Sequence, residues 1–316
     1  MPRTSPKMAA HEGCCHTLAR YYRGAILGGD LGVTSMLRFI AAIIAVCAIT
    51  LDCANAQSDL VKRGDYLVNG ILTCGNCHTP KGPTGDIMDK AFSGGPSFDE
   101  PPFKVTSANI TPDKETGIGN YTDAELKQVL RKGIKRTGVP VAMVMPSGFY
   151  EIMTDRDLDA VIAYLHTIKP IKNAVPTPTY KMAQGHPIPP GADKPFTEAM
   201  MSDKLKKGFY LATVAHCMEC HTPMGPRGRD FASRLGAGGF EMPGPWGVSV
   251  SRNITSSKTK GIGAWTDDEV KRAITQGVSR DGSKLKPPMG FHYYSTVSKD
   301  DLDAVVAFLR TVPAKE

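Results

Sequence analysis

The chain has 316 residues, 41% hydrophobic and 22% charged, with a formal net charge of +7. That length points to about two domains at roughly 100–200 residues each, and so mild a positive balance gives no ground for nucleic-acid binding. Thirty-two glycines and 24 prolines foretell much loop.

In chain order, residues 1–35 show no clear pattern, and Met36 reads as the start of translation. Residues 36–57, MLRFIAAIIAVCAITLDCANAQ, hold one arginine, an apolar run from Phe39 to Leu51, and then Ala54-Asn55-Ala56. This is the layout of an export leader cut after Ala56. The run is shorter than the roughly 20 residues a membrane span needs, which disfavours a retained anchor. Asp52 before Cys53 fits a lipidation site poorly. Residues 1–56 are therefore expected to be an extension and leader, and the remainder a periplasmic protein without a membrane anchor of its own. Of eight cysteines, Cys14, Cys15, Cys47 and Cys53 precede the cut, leaving Cys74, Cys77, Cys217 and Cys220.

The remainder repeats itself. RGDYL at 63–67 recurs as KGFYL at 207–211, NIT at 109 recurs at 253, and DLDAVIAYL at 157–165 recurs as DLDAVVAFL at 301–309, all at an offset of 144. Cys74 maps on Cys217 one residue out of that register. Such self-similarity marks a duplicated unit, expected over 57–168 and 201–316 with a proline-rich, extended linker over 169–200.

Each unit reads as helical. In its first helix Gly64 or Gly208 stands where a close helix crossing needs a small residue, with Tyr164 and Phe308 on the last helix. YTDAELKQVL offers Thr122 and Glu125 as a capping box, and WTDDEVKRAI offers Thr266 and Glu269. Leu158, Val161, Ile162 and Leu165 make one apolar stripe on the last helix, which Thr154 can cap. The Gly- and Pro-rich stretches between read as loops rather than strands, so the expected class is all-α. A unit of about 110 residues with few short helices has a thin core that a large apolar cofactor would fill.

All four remaining cysteines lie in Cys-x-x-Cys-His, as CGNCH at 74–78 and CMECH at 217–221. A structural zinc needs four ligands close together, whereas these pairs lie in separate copies. A thioredoxin-like motif wants a βαβ context, which is missing. The pattern is the attachment signature of c-type haem: each thiol adds to a vinyl group and the histidine, His78 or His221, ligates the iron. Two covalent haem c groups are expected. The second axial ligand is read from the repeat, since AMVMPSGFY at 142–150 aligns with KPPMGFHYY at 286–294 and places Met145 on Met289. Methionine in a proline-containing loop suits that role. Met143, which falls opposite Pro287, and His292 are the competitors; His166, His186 and His216 have no repeat partners and read as ordinary loop or surface residues.

The motifs CGNCHTP and CMECHTP, the stretches SANITPDKETGIGNYTDAEL and SRNITSSKTKGIGAWTDDEV, and the two methionine loops resemble class I c-type cytochromes. More narrowly, they resemble the cytochrome c subunits of bacterial alcohol, gluconate and nicotinate-type dehydrogenases. The resemblance implies two tandem class I cytochrome c domains. It also implies that the carbonyls of Pro80 and Pro223 orient the haem histidines. It makes the protein an electron carrier without catalytic residues, receiving electrons from a periplasmic or membrane-bound dehydrogenase and passing them to a terminal oxidase or another cytochrome. The competing reading is a dihaem enzyme such as a cytochrome c peroxidase, which needs an iron that can open.

Overall fold

The computed structural model describes residues 55–316 apart from Thr84 and Arg227. The expected leader therefore lies, up to residue 54, outside the described residues. Met1–Leu60 and Val61–Glu316 are separate units, and the second carries everything that follows. Among the described residues no helix is long and apolar enough to cross a membrane.

The same five helices occur twice. The first set is the 61–66 part of the helix α1 (55–66), α2 Cys74–His78, α3 Asp123–Lys132, α4 Ser147–Tyr150 and α5 Asp155–Leu165. The second is α6 Lys204–Val214, α7 Cys217–Cys220, α8 Asp267–Gln276, α9 Phe291–Tyr294 and α10 Lys299–Leu309. Local chemistry explains their ends. Thr122 and Thr266 each accept the backbone N–H three residues on and receive the Glu125 or Glu269 carboxylate in return, completing both capping boxes. Thr154 and Ser298 cap α5 and α10 in the same way. Gly133 and Gly277, at φ 64° and 65°, end α3 and α8 in the left-handed conformation that glycine adopts without a Cβ clash.

The expectation of an all-α protein is corrected, because four small antiparallel sheets accompany the helices. Strands β1 (Lys81–Gly82) and β2 (Gly85–Asp86) form a hairpin, as do β3 (Ser97–Glu100) and β4 (Phe103–Thr106). Their counterparts are β6 (Met224–Gly225) with β7 (Gly228–Arg229), and β8 (Glu241–Gly244) with β9 (Gly247–Val250). Strands of two to four residues are too short to show an alternating pattern, and their glycines and prolines lower strand propensity. The turns they bracket are what organise them: Gly85, Gly228 and Gly247 take φ of 121°, 103° and 82°, which a side chain would resist.

The linker is extended, as its prolines require, but it is packed rather than free. Its strand β5 (Thr179–Tyr180) adds to the open edge of β4. Beyond it the Gln184 amide continues the seam: Nε2 donates to the Pro102 carbonyl at 3.1 Å, and Oε1 accepts the Met143 N–H at 3.1 Å. Backbone donors share in the attachment, since the Lys181 and Met182 N–H groups also reach the Pro102 carbonyl, at 2.9 and 3.2 Å.

The first and last helices of each repeat cross at glycine. A Cβ on Gly64 would lie 1.9 Å from the Ala160 carbonyl oxygen, and one on Gly208 would lie 2.0 Å from that of Ala304. We expect Gly64→Ala and Gly208→Ala each to destabilise by about 2–3 kcal/mol, the upper range for overpacking. Denaturant midpoints check this, and an unchanged midpoint would mean that the helices are free to separate there.

The copies also exchange side chains symmetrically. Tyr66 of the first donates to Asp301 of the second at 2.5 Å, and Tyr210 of the second donates to Asp157 of the first at 2.7 Å. Each phenol oxygen also accepts the N–H of the other copy's cap residue, Ser298 or Thr154. Each carboxylate is held by a cation of its own repeat, Arg63 on Asp157 and Lys207 on Asp301.

Candidate functional site

In both repeats the segment bearing the cysteines starts on a strained residue. Thr73 and His216 have φ of 48° and 45°, a region that non-glycine and above all β-branched residues avoid. Before Thr73 the backbone widens into a π-turn over Leu67–Ile71, with the Leu72 N–H on the Leu67 carbonyl at 2.8 Å. Such turns gather at functional sites. The helical turn that follows sets Cys74 beside Cys77, and Cys217 beside Cys220, three residues apart on one face. None of the four is in a disulfide. Burial pushes the Cys74, Cys217 and Cys220 thiols up to about 12 and Cys77 to about 11, so all remain protonated at neutral pH. Among the described residues no three His, Cys, Asp or Glu side chains gather as a metal-binding group.

The histidine after each pair is fixed in orientation. His78 Nδ1 lies 2.7 Å from the Ala108 carbonyl and His221 Nδ1 2.6 Å from the Arg252 carbonyl. Donation from Nδ1–H leaves Nε2 with its lone pair free, the tautomer a metal ligand needs. Burial lowers both pKa values, which keeps the rings neutral. The proline carbonyls expected in this role are used elsewhere: Pro80 accepts the Ile87 N–H at 2.9 Å, and Pro223 that of Asp230 at 3.0 Å. Both close the hairpins β1–β2 and β6–β7, and the imidazoles turn to a loop 30 residues away instead.

The repeated NIT stretch holds that loop. Asn109 Oδ1 accepts from the Thr111 N–H and hydroxyl at 2.9 and 2.7 Å, and its Nδ2 donates to the Ile171 carbonyl at 2.7 Å. Asn253 does the same with Thr255 and with the Lys315 carbonyl. Asn109 is 3% exposed, so its side chain is a structural clamp beside the carbonyl that orients His78. Gly95 completes the enclosure, since a Cβ there would stand 1.7 Å from the Cys77 carbonyl oxygen.

Met145 and Met289 stand in equivalent places, each half-buried and accepting an N–H from the residue two further on, Ser147 or Phe291, at 2.8 and 3.0 Å. His186, from the linker, reads in the sequence as an ordinary loop residue. Its ring instead lies over Gly133 with Nδ1 3.1 Å from the Met145 carbonyl, so the linker braces this loop. Nothing in its sequence context signals that role, because the contact crosses 41 residues and has no twin. His292 is 67% exposed in its side chain and lies 3.7 Å from Asp86. His166 pairs with Asp123, and His216 with Glu219.

Twin Cys-x-x-Cys-His turns, each with a half-buried imidazole presenting Nε2 and a methionine loop in register, have the donor chemistry of covalent haem attachment. Residues 61–169 match the cytochrome c family, so the chain contains a cytochrome c domain. It is 29% identical over 297 residues to the cytochrome c subunit of the quinone-type alcohol dehydrogenase of Gluconobacter oxydans (strain 621H), covering 87% of this chain and 60% of that protein. It is 30% identical over 281 residues to the fructose dehydrogenase cytochrome subunit of Gluconobacter japonicus, covering 83% and 54%. A diheme cytochrome c-type protein of Cereibacter sphaeroides is 27% identical over 253 residues, covering 77% of this chain and 83% of its own length. The chain thus spans under two thirds of the first two relatives. A cytochrome c domain of this kind implies covalently bound haem c and electron transfer. The peroxidase reading finds no support in these relatives.

Proposed function

We propose that this protein is an exported dihaem electron carrier that takes electrons from a dehydrogenase and delivers them to a terminal oxidase or another cytochrome. The observation that carries the count of two is the complete donor set in both repeats: Cys74, Cys77, His78 and Met145 in one, Cys217, Cys220, His221 and Met289 in the other. The thiols would attach the group, Nε2 of each histidine and the sulfur of each methionine would hold its iron, and the bound haem would supply a reversible one-electron change. Ala108 and Arg252 keep each imidazole in the ligating tautomer by accepting its Nδ1–H. A sulfur and an imidazole together leave no position for substrate, which favours a carrier over an enzyme.

A dehydrogenase donor is supported by the names of the relatives, and export by the leader-like stretch ending at Ala56 together with haem attachment outside the cytoplasm. Intact mass of the mature protein is expected to show a chain beginning at Gln57 with two covalent haems and no free thiol. Carbon monoxide added to the reduced protein, and hydrogen peroxide added to the half-reduced one, are expected to leave the spectra unchanged at neutral pH. Rapid carbon monoxide binding with peroxide consumption would move the protein to the enzyme class.

A further inference from the structure

We propose that Asn76, in the attachment turn of the first repeat, positions the Met289 loop of the second, so that the second site's sulfur is held from across the repeat interface. This rests on Met289 being an iron ligand, as proposed above. Asn76 is the second variable residue of Cys74-Gly75-Asn76-Cys77-His78. Its Nδ2 donates to the carbonyl of Pro288 at 3.0 Å, and Pro288 is the residue directly before Met289. A missing side chain lets the segments meet: a Cβ on Gly75 would stand 2.5 Å from the Tyr293 hydroxyl oxygen. Tyr293 is tied to the first repeat as well, donating to Asp86 Oδ2 at 2.9 Å.

The dependence runs one way. In the first loop the Met145 N–H closes on the Ala142 carbonyl at 2.9 Å, and His186 holds the Met145 carbonyl. In the second loop Pro287 and Pro288 have no N–H to donate, and the carbonyl ahead of the methionine is held by Asn76. The residue matching Asn76 in the second attachment turn is Glu219, whose carboxylate lies 3.2 Å from Nδ1 of its own His216. A side chain in the first site's own covalent anchor therefore steadies the second site's ligand, without an equivalent in return.

The test uses the loaded protein, with covalent loading confirmed by intact mass. Asn76→Leu keeps the branching and removes the amide donor. It is expected to weaken the methionine–iron absorption band assigned to the second haem, lower that haem's potential, and tighten imidazole binding there. Losing one hydrogen bond of about 0.5–1.5 kcal/mol corresponds to about three- to tenfold in that binding. The first haem, although Asn76 lies between its two attachment cysteines, is expected to keep its band and potential. Asn76→Gln, which retains the amide, should recover part of the effect, and Glu219→Gln should leave the Met145 band intact. Asn76→Ser is read by the same titrations where the leucine variant does not mature. An effect confined to the first haem, or none at either, overturns the inference, and so does loss of the Met145 band in Glu219→Gln. Met289→Ala separates the two readings: if it leaves the second band in place, the ligand assignment fails; if it removes the band while Asn76→Leu does not, only the coupling fails.

Discussion

Asp157→Ala is expected to destabilise the protein by about 3–5 kcal/mol, the range for breaking a buried ion pair by removing one partner. The Asp157 side chain is 5% exposed. Both of its oxygens are engaged by Arg63, from Nε at 2.8 Å and Nη2 at 2.9 Å, and one also accepts the Tyr210 hydroxyl at 2.7 Å. Truncation would leave a partly buried guanidinium without its counter-charge and a fully buried phenol without its acceptor. Tyr210 is 0% exposed, so water cannot take over from the carboxylate. The loss falls on the seam between repeats as well as on the first repeat, because Tyr210 belongs to the second. Chemical denaturation followed separately at each haem is expected to show both repeats losing stability together. A loss below about 1 kcal/mol, typical of exposed pairs, would show that the seam is wet in solution. Arg63→Ala, which also leaves the carboxylate unpaired, should fall in the same range.

Met145→Ala is expected to remove the sulfur ligand of the first haem and lower its potential by on the order of 0.1–0.3 V, part of the roughly 0.8 V that axial ligands span. Met143→Ala is expected to leave band and potential unchanged. The two methionines are two residues apart, and both are half-buried, so proximity does not separate them. What separates them is register: Met145, like Met289, accepts the N–H two residues on at the start of a short helix, whereas Met143 is opposite a proline. Redox titration with the methionine–iron band as a second readout decides it. Loss of the band in Met143→Ala with retention in Met145→Ala would mean that the repeat alignment slips in this loop.

What could be read directly from the sequence is chemistry that resides in side-chain identity at short range. Cysteines at i and i+3 with a following histidine, threonine and glutamate at capping-box spacing, and an apolar stripe on 158–165 all act within one or two helical turns. The structure keeps them as local features. The 144-residue register extended this reach, because it paired Met145 with Met289 and Gly64 with Gly208 without any knowledge of contacts. Where sequence reading failed, the partner was a backbone group or a distant residue. The imidazoles of His78 and His221 bind the Ala108 and Arg252 carbonyls rather than those of Pro80 and Pro223. Every residue carries a carbonyl, so no side chain marks the one that will be used. The four small sheets read as loops in the sequence because a strand of two residues has no period. The exchange of Tyr66 with Asp301 and Tyr210 with Asp157, and the contact of Asn76 with Pro288, join residues 53 to 235 positions apart. The sequence by itself determined the two Cys-x-x-Cys-His motifs and the duplication, since both are written in residue type and spacing. Only the tertiary structure decided which carbonyls orient the histidines and how the copies interlock, since those depend on which backbone the packing brings within hydrogen-bond reach.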